Sequence, residues 1–227
     1  MRSPMAVLVG IALTTACGSS TSGPTTRTVI DTVIVADTIT GDSTLEGFLG
    51  HVGVHYNIGP VSTGEGIFLG DADAGANGLS YHAFVGFDLP ARVDTGTIQH
   101  AVLALTQCAV FGSPFSKLGS VIVDHVDFGA TPDTSLYYST PLAADIGTLS
   151  ADSTLGTKQL DVAASVANDV TNGRTHSEYR LRFSLLDDNL DGVSDYVYFY
   201  TTQTACTPQA NALPSLIVTR QRIDTTL

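Results

Sequence analysis

The chain has 227 residues, a formal net charge of −12 and only 14% charged residues. That length suits a single all-β domain of about 200 residues. An acidic surface repels phosphate backbones, so nucleic acid is excluded as a partner class, and a strongly anionic polysaccharide is disfavoured unless cations bridge the contact. Tryptophan is absent, which removes a favoured anchor of binding surfaces.

Met1-Arg2-Ser3-Pro4 is a short basic start, and Met5 to Leu13 is an apolar run too short to span a bilayer. Thr14-Thr15-Ala16-Cys17 follows and resembles the lipobox of bacterial lipoproteins. That resemblance implies a signal peptide over residues 1–16, a lipidated Cys17 at the mature N-terminus, and a place in the cell envelope, periplasmic or at the surface. The competing reading is an ordinary signal peptide with an incidental cysteine. No other stretch is long and apolar enough for a membrane helix, so membrane contact is expected through the lipid anchor alone. Gly18 to Thr26 is rich in Gly, Ser, Thr and Pro and reads as a flexible tether. Thr28 to Thr40 alternates apolar residues with Thr and Asp, as a first strand or an extended stalk would. Residues 17–41 are therefore assigned to a tether or stalk and 42–227 to one folded domain.

Export places the cysteines in an oxidising compartment. With Cys17 taken by lipid, Cys108 and Cys206 remain as an even pair. A disulfide between them would close a loop of about 100 residues, worth about 4–5 kcal/mol in the chain-entropy picture. The alternative is two buried free thiols.

In chain order, Leu45 to Tyr56 carries two short apolar runs around glycines, and Ile67 to Asp71 is a short strand. Tyr81 to Leu89 is apolar on both faces, with Phe84 on one side and Val85 and Phe87 on the other. Such a strand belongs in the middle of a packed β-structure, and Pro90 stops it. Ile98 to Leu105 puts Ala101, Leu103 and Leu105 on one face. Gly119 to Val126 is a further strand, with Val121 and Val123 opposed to Ile122 and Val126, and Leu136 to Leu149 reads as irregular. Ala163 to Thr171 is a short helix, with Asp161 as N-cap and Gly173 as C-cap. Glu178 to Leu185 alternates cleanly: Tyr179, Leu181, Phe183 and Leu185 for the core, Glu178, Arg180, Arg182 and Ser184 for water. Tyr196 to Thr202 alternates again, and Pro214 to Thr219 closes the domain. Many strands, many turns and one short helix predict an all-β antiparallel sandwich.

The order Gly70-Asp71, Tyr81-x-Ala83-Phe84-Val85-x-Phe87-Asp88-Leu89, Ile98-x-x-Ala101-x-Leu103, Leu160-Asp161-Val162, Tyr179-Arg180-Leu181-Arg182 and Pro214-x-Leu216-x-Val218 resembles the DNRLRE-type domains related to family 96 carbohydrate-binding modules. The resemblance covers most of the chain after the tether. It implies a jelly-roll sandwich on a secreted or surface protein, with a polysaccharide or glycan as partner. Its motifs are mostly core positions and speak to fold more than to site.

Asp187-Asp188-Asn189-Leu190-Asp191-Gly192-Val193-Ser194-Asp195 matches D-x-N-x-D-G with a further Asp. Asp187, Asn189, Asp191 and Asp195 offer side-chain oxygens and Val193 a carbonyl for a structural Ca²⁺. The twelfth place is Tyr198 rather than Glu, and an acidic hairpin turn explains the same residues. Tyr196, Tyr198 and Tyr200 fall on one strand face, as a platform for sugar rings or as a cross-strand ladder. Six histidines are scattered, and His51 and His55, four apart, would stand about 13 Å apart along one strand. His125 lies between Asp124 and Asp127, but strand neighbours point to opposite faces. There is no G-x-S-x-G elbow, and Gly64-Glu65-Gly66 is a turn rather than a phosphate loop. The sequence reads as a non-catalytic module that binds carbohydrate at the cell envelope, or as a structural or protein-interaction lipoprotein.

Overall fold

The computed structural model describes residues 29–52, 55–60, 67–71, 80–94, 96–128, 134–185, 191–201 and 213–226. Within them lie strands β1 (Val29–Thr40), β2 (Gly47–Val52), β3 (His55–Pro60), β4 (Ile67–Asp71), β5 (Ser80–Asp88), β6 (Thr97–Phe111), β7 (Val121–Val126), β8 (Ala143–Ser150), β9 (Gly156–Asp161), β10 (His176–Phe183), β11 (Asp195–Phe199) and β12 (Ser215–Thr226). A single turn of helix, α1 (Pro114–Lys117), and one longer helix, α2 (Ala163–Thr171), join them. No helix among the described residues is long and apolar enough to cross a membrane.

Every strand pairing is antiparallel. The path through the sheet is β1-β12-β6-β11-β4-β5-β10-β7-β8, with β2 on β5, β3 on β2 and β9 on β6 as branches. The sheet curls, and the result is the all-β sandwich expected from the sequence. Its core joins Ala83, Val85 and Phe87 of β5, Tyr179, Leu181 and Phe183 of β10 and Val121 and Val123 of β7 to Ala101, Leu103 and Leu105 of β6, Val197 and Phe199 of β11, and Leu216 and Val218 of β12. The period-2 pattern of each strand delivers one side chain in two to this core.

β5 is buried on both faces, as its unbroken apolar run predicts. Phe84 leaves the main core and joins Leu45, Leu49, Val126, Phe128, Leu136 and Tyr137 in a second cluster. Gly86 makes room for it: a Cβ there would lie 2.6 Å from that of Leu45.

The second layer corrects the expectation that Glu178, Arg180 and Arg182 face water. Glu178 and Arg180 are buried, and Arg182 is only partly exposed. A 3₁₀ turn, Thr134–Tyr138, lies over them. Arg180 Nη1 donates to the carbonyls of Leu136, Tyr137 and Ser139 at 3.0–3.2 Å. Its Nε and Nη2 reach Asp124 Oδ2 at 3.0 and 2.8 Å. Arg182 grips both oxygens of the same carboxylate at 2.8 and 3.1 Å, and the Asp145 N–H adds a fifth donor at 2.8 Å. Burial alone would raise the Asp124 pKa, but the bonds from Arg182, Asp145 and Arg180 outweigh it and hold the carboxyl below the usual aspartate range. His82, stacked on Tyr137 at 3.9 Å and 3°, is held in its neutral form. Burial first, then Arg180 and Arg182, lower its pKa to about 3.

Four further expectations change. Residues 29–40, placed in the tether, form β1, which pairs with β12 from Val29↔Thr226 to Thr40↔Ser215. Ile39 of β1 enters the core, and Asp37 Oδ2 meets the buried Arg220 Nε at 3.2 Å. The sheet thus begins at Val29 rather than Asp42, because the alternation of Thr and Asp with Val and Ile is a strand period. The segment read as irregular contains β8. The N-cap of α2 is Val162, although Asp161 Oδ1 still accepts the Ala163 N–H at 2.9 Å. The C-cap is Asn172, one residue before the expected Gly173; Gly173 follows it with φ +67°, its N–H donates to the Val170 carbonyl at 3.1 Å, and the Arg174 N–H donates to the Asp169 carbonyl at 2.9 Å. That pair of bonds is a Schellman motif.

Candidate functional site

β11 alternates Val197 and Phe199 into the core with Tyr196 and Tyr198 away from it. β4 does the same with Ile67 and Leu69 against Phe68. The β4–β11 register sets Tyr198 opposite Phe68 and Tyr196 opposite Gly70. Directly opposed residues share a face, so Phe68 becomes the hub of a ring cluster. Its ring centroid lies 4.2 Å from Phe48, 4.2 Å from Tyr81, 5.5 Å from Tyr198 and 6.0 Å from Tyr196. Phe111, at the end of β6, stacks on Tyr196 at 4.7 Å and 27° and is 45% exposed. Phe68, Tyr81, Tyr196 and Tyr198 are half-buried and Phe48 is buried. Burial, with Tyr198 beside it, raises the Tyr81 phenol pKa, so the hydroxyl stays protonated and able to donate.

Gly70 permits this arrangement. It takes φ +129°, and a Cβ would sit 2.7 Å from the Tyr196 Cα and closer still to the Asp195 carbonyl. A bulge in the β6–β11 ladder at Cys108, between the Gln107↔Phe199 and Ala109↔Tyr198 pairs, re-aims the end of β6 and brings Phe111 opposite Tyr196.

The expected tyrosine triplet divides. Tyr196 and Tyr198 join the cluster. Tyr200 lies past the end of β11, where its N–H donates to the Thr106 carbonyl at 2.9 Å, and it makes no ring contact among the described residues. The partners Phe48, Phe68, Tyr81 and Phe111 were not singled out from sequence, because each sits on a different strand.

Of the acidic loop, Asp187 and Asn189 lie outside the described residues. Asp191 Oδ1 accepts the Val193 N–H at 2.9 Å, an Asx turn, and Val193 is exposed. Asp195 is fully buried at the start of β11 and accepts the Ser113 N–H. Lys117 of α1 places its ammonium 3.3 Å from Asp195 Oδ2 and also against Asp191. Asp71, opposite Asp195 in the ladder, is fully buried as well; the sequence offers it as a fold position and not as a site residue. Among the described residues, no three His, Cys, Asp or Glu side chains are grouped to hold a metal.

His125 and its flanking aspartates separate as strand geometry requires. Asp124 turns to Arg180 and Arg182, Asp127 pairs with Arg174, and His125 turns inward to Asp169 of α2. His51 and His55 fall on the two strands of the β2–β3 hairpin, with His51 opposite Tyr56 and His55 opposite Val52. Cys108 is half-buried at the β6 bulge. Its expected partner Cys206, and the expected lipidation site Cys17, lie outside the described residues.

No protein-family model matches the chain, and no curated protein matches it.

Proposed function

We propose that this protein is a non-catalytic, lipid-anchored protein of the cell envelope whose sandwich binds carbohydrate on the ring cluster of Phe68, Tyr81, Phe111, Tyr196 and Tyr198. The observation that carries the reading is the joining of these half-buried rings into one continuous apolar surface, with phenol hydroxyls at Tyr81, Tyr196 and Tyr198. Aromatic rings pack against the C–H faces of sugars, and the hydroxyls supply hydrogen bonds at their edges. The charge of −12 favours a neutral glycan over an acidic one. The resemblance to DNRLRE-type domains points the same way.

The test is a polysaccharide and glycan array probed with the full chain. Saturable binding to a neutral glycan, weakened at least tenfold by Tyr196→Ala or Phe111→Ala, supports the reading. The exposed Phe111 also suits a second reading, a protein-docking or structural role. Silence on the array together with a defined partner lost in Phe111→Ala would establish that role instead.

Three elements complete the proposal. Cys17 carries the lipid, so metabolic labelling with a fatty-acid analogue is lost in Cys17→Ser. Cys108 pairs with Cys206, so non-reducing peptide mapping recovers the two joined. Any calcium bound by the Asp187–Asp195 loop is structural and has to displace Lys117. A rise in Tm with calcium, enlarged in Lys117→Met, supports that ion; an unchanged Tm leaves Lys117 as the resident cation.

A further inference from the structure

A cleft opens between the first turn of α2 and the start of β8, with no residue of the ring cluster in its lining. Its volume is about 520 Å³, within the about 300–1,000 Å³ typical of small-molecule sites. His125 and Ser165 line it, and they are 2% and 6% exposed. The His125 ring is fixed, because Nε2 lies 2.9 and 3.0 Å from the two oxygens of Asp169. An acceptor on that side holds the proton on Nε2 and leaves Nδ1 with a lone pair in the neutral ring. Neither Nδ1 nor Ser165 Oγ has a hydrogen-bond partner among the described residues. Helix α2 adds donors. Asp161 takes the Ala163 N–H and Val166 bonds back to Val162, while the N–H groups of Ala164 and Ser165 have no intrahelical partner. The β8 side contributes an apolar wall from Leu142 and Ile146, and Asn168 and Asp161 also line the cleft.

We infer that this cleft is a binding site for a small uncharged polyhydroxy molecule, of the size and chemistry of a monosaccharide. The cleft combines the N–H donors of Ala164 and Ser165 with the acceptor atoms His125 Nδ1 and Ser165 Oγ, which suits hydroxyls that both give and accept hydrogen bonds. The apolar wall suits the C–H face of a ring. The helix N-terminus disfavours a cation, and the carboxylates of Asp161 and Asp169 disfavour an anion. The inference stands apart from the ring cluster: either site can fail without the other.

The experiment titrates the full chain with glucose, galactose, mannose and xylose in turn, following the ring nitrogens of His125 and the amides of Ala164 and Ser165 by NMR. The expected result is saturation by at least one of the four in the millimolar range, with shifts centred on those three residues. Ala164→Phe, at an exposed cleft position, weakens that binding at least tenfold, and Asn168→Leu weakens it with the fold unchanged. Tyr196→Ala leaves it intact. The inference is overturned if none of the four sugars saturates. It is equally overturned if glucuronate or ethylammonium perturbs these atoms while the neutral sugars do not, or if the shifts centre on Tyr196 and Phe111.

Discussion

The outward side of β5, β10 and β7 carries two arginines on one carboxylate, roofed by a 3₁₀ turn, whereas the outward side of β4 and β11 carries rings with no such roof among the described residues. Both are built by the same alternation of strand residues. They differ in what the rest of the chain lays over them. Arg180 has five N–H donors, and the structure directs them to Asp124 and to three carbonyls of the turn. A guanidinium so engaged fixes a lid to a sheet. Phe68 and Tyr196 have no comparable means of holding a lid, and an aromatic face left half-open is what a ligand can use.

Breaking the roofed side gives the largest expected effect. Arg180→Leu removes the group that ties the turn to the sheet and leaves Asp124 with Arg182 and the Asp145 N–H. Loss of one partner from a buried ion cluster costs about 3–5 kcal/mol, measurable by urea unfolding. Hydrogen exchange should show the Leu136–Ser139 turn opening first, before the ring cluster is affected. Second in size is Gly70→Ala on the open side. The positive φ and the approach of Tyr196 Cα make any side chain strained there. The expected loss is about 2–3 kcal/mol, and under the proposed function glycan affinity falls with it, because Tyr196 and Phe68 are re-aimed. A Gly70→Ala protein that unfolds like the native chain would show that the β4–β11 approach is not tight.

The contrast also explains what was legible in the sequence. β5 was read correctly on both faces because a continuous apolar run states its own burial. The alternation of β10 fixed which side Arg180 lies on but not what covers it, since the cover comes from Thr134–Tyr138, more than forty positions earlier. β1 reads as a first strand or a stalk for a related reason: its Thr and Asp residues are solvent-compatible, and it is the ladder with β12, the Arg220–Asp37 contact and the burial of Ile39 that reveal its place. Removing residues up to Gly41 would therefore strip an edge strand from β12. Tyr196 and Tyr198 were visible as a pair because they lie on one strand. Phe68, Tyr81 and Phe111 join them only through register, which a single sequence does not display.

Acid sharpens the comparison next. In the unfolded chain His82 takes up a proton near pH 6.5, but in the fold it resists until about pH 3. The stability this confers is present above pH 6.5 and is lost as pH falls, by about 1.4 kcal/mol per unit. Between pH 7 and pH 5 the native chain should lose about 2 kcal/mol from this group. Asp124, whose pKa is lowered in the fold, contributes above the ordinary aspartate range and adds its own loss only below about pH 4. His82→Phe keeps a ring against Tyr137 and removes the proton, so its unfolding free energy should be flatter over pH 5–7. An unchanged slope in that variant would place the acid sensitivity elsewhere. The ring cluster has no group that titrates in this window, so its variants should keep the native slope.

The smallest effect on stability is expected where the proposed binding would lose most. Tyr198→Ala removes contacts to Phe68, Phe111 and Tyr196, at 5.5, 5.7 and 5.6 Å between ring centroids. Aromatic pairs at a sheet surface contribute about 0.5–1.5 kcal/mol beyond area, and a half-exposed ring regains some hydration when its neighbours go. Unfolding should therefore shift by about 1 kcal/mol, well under the loss in Arg180→Leu. Glycan binding, if the rings form the platform, should fall at least tenfold in the same protein. Tyr198→Phe separates the two contributions, because it keeps the stacking surface and drops the hydroxyl. Retained affinity in Tyr198→Phe assigns recognition to the ring face, and an equal loss in both variants assigns it to the hydroxyl. A Tyr198→Ala protein that unfolds early and binds normally would reverse the comparison and make the open side a structural ladder.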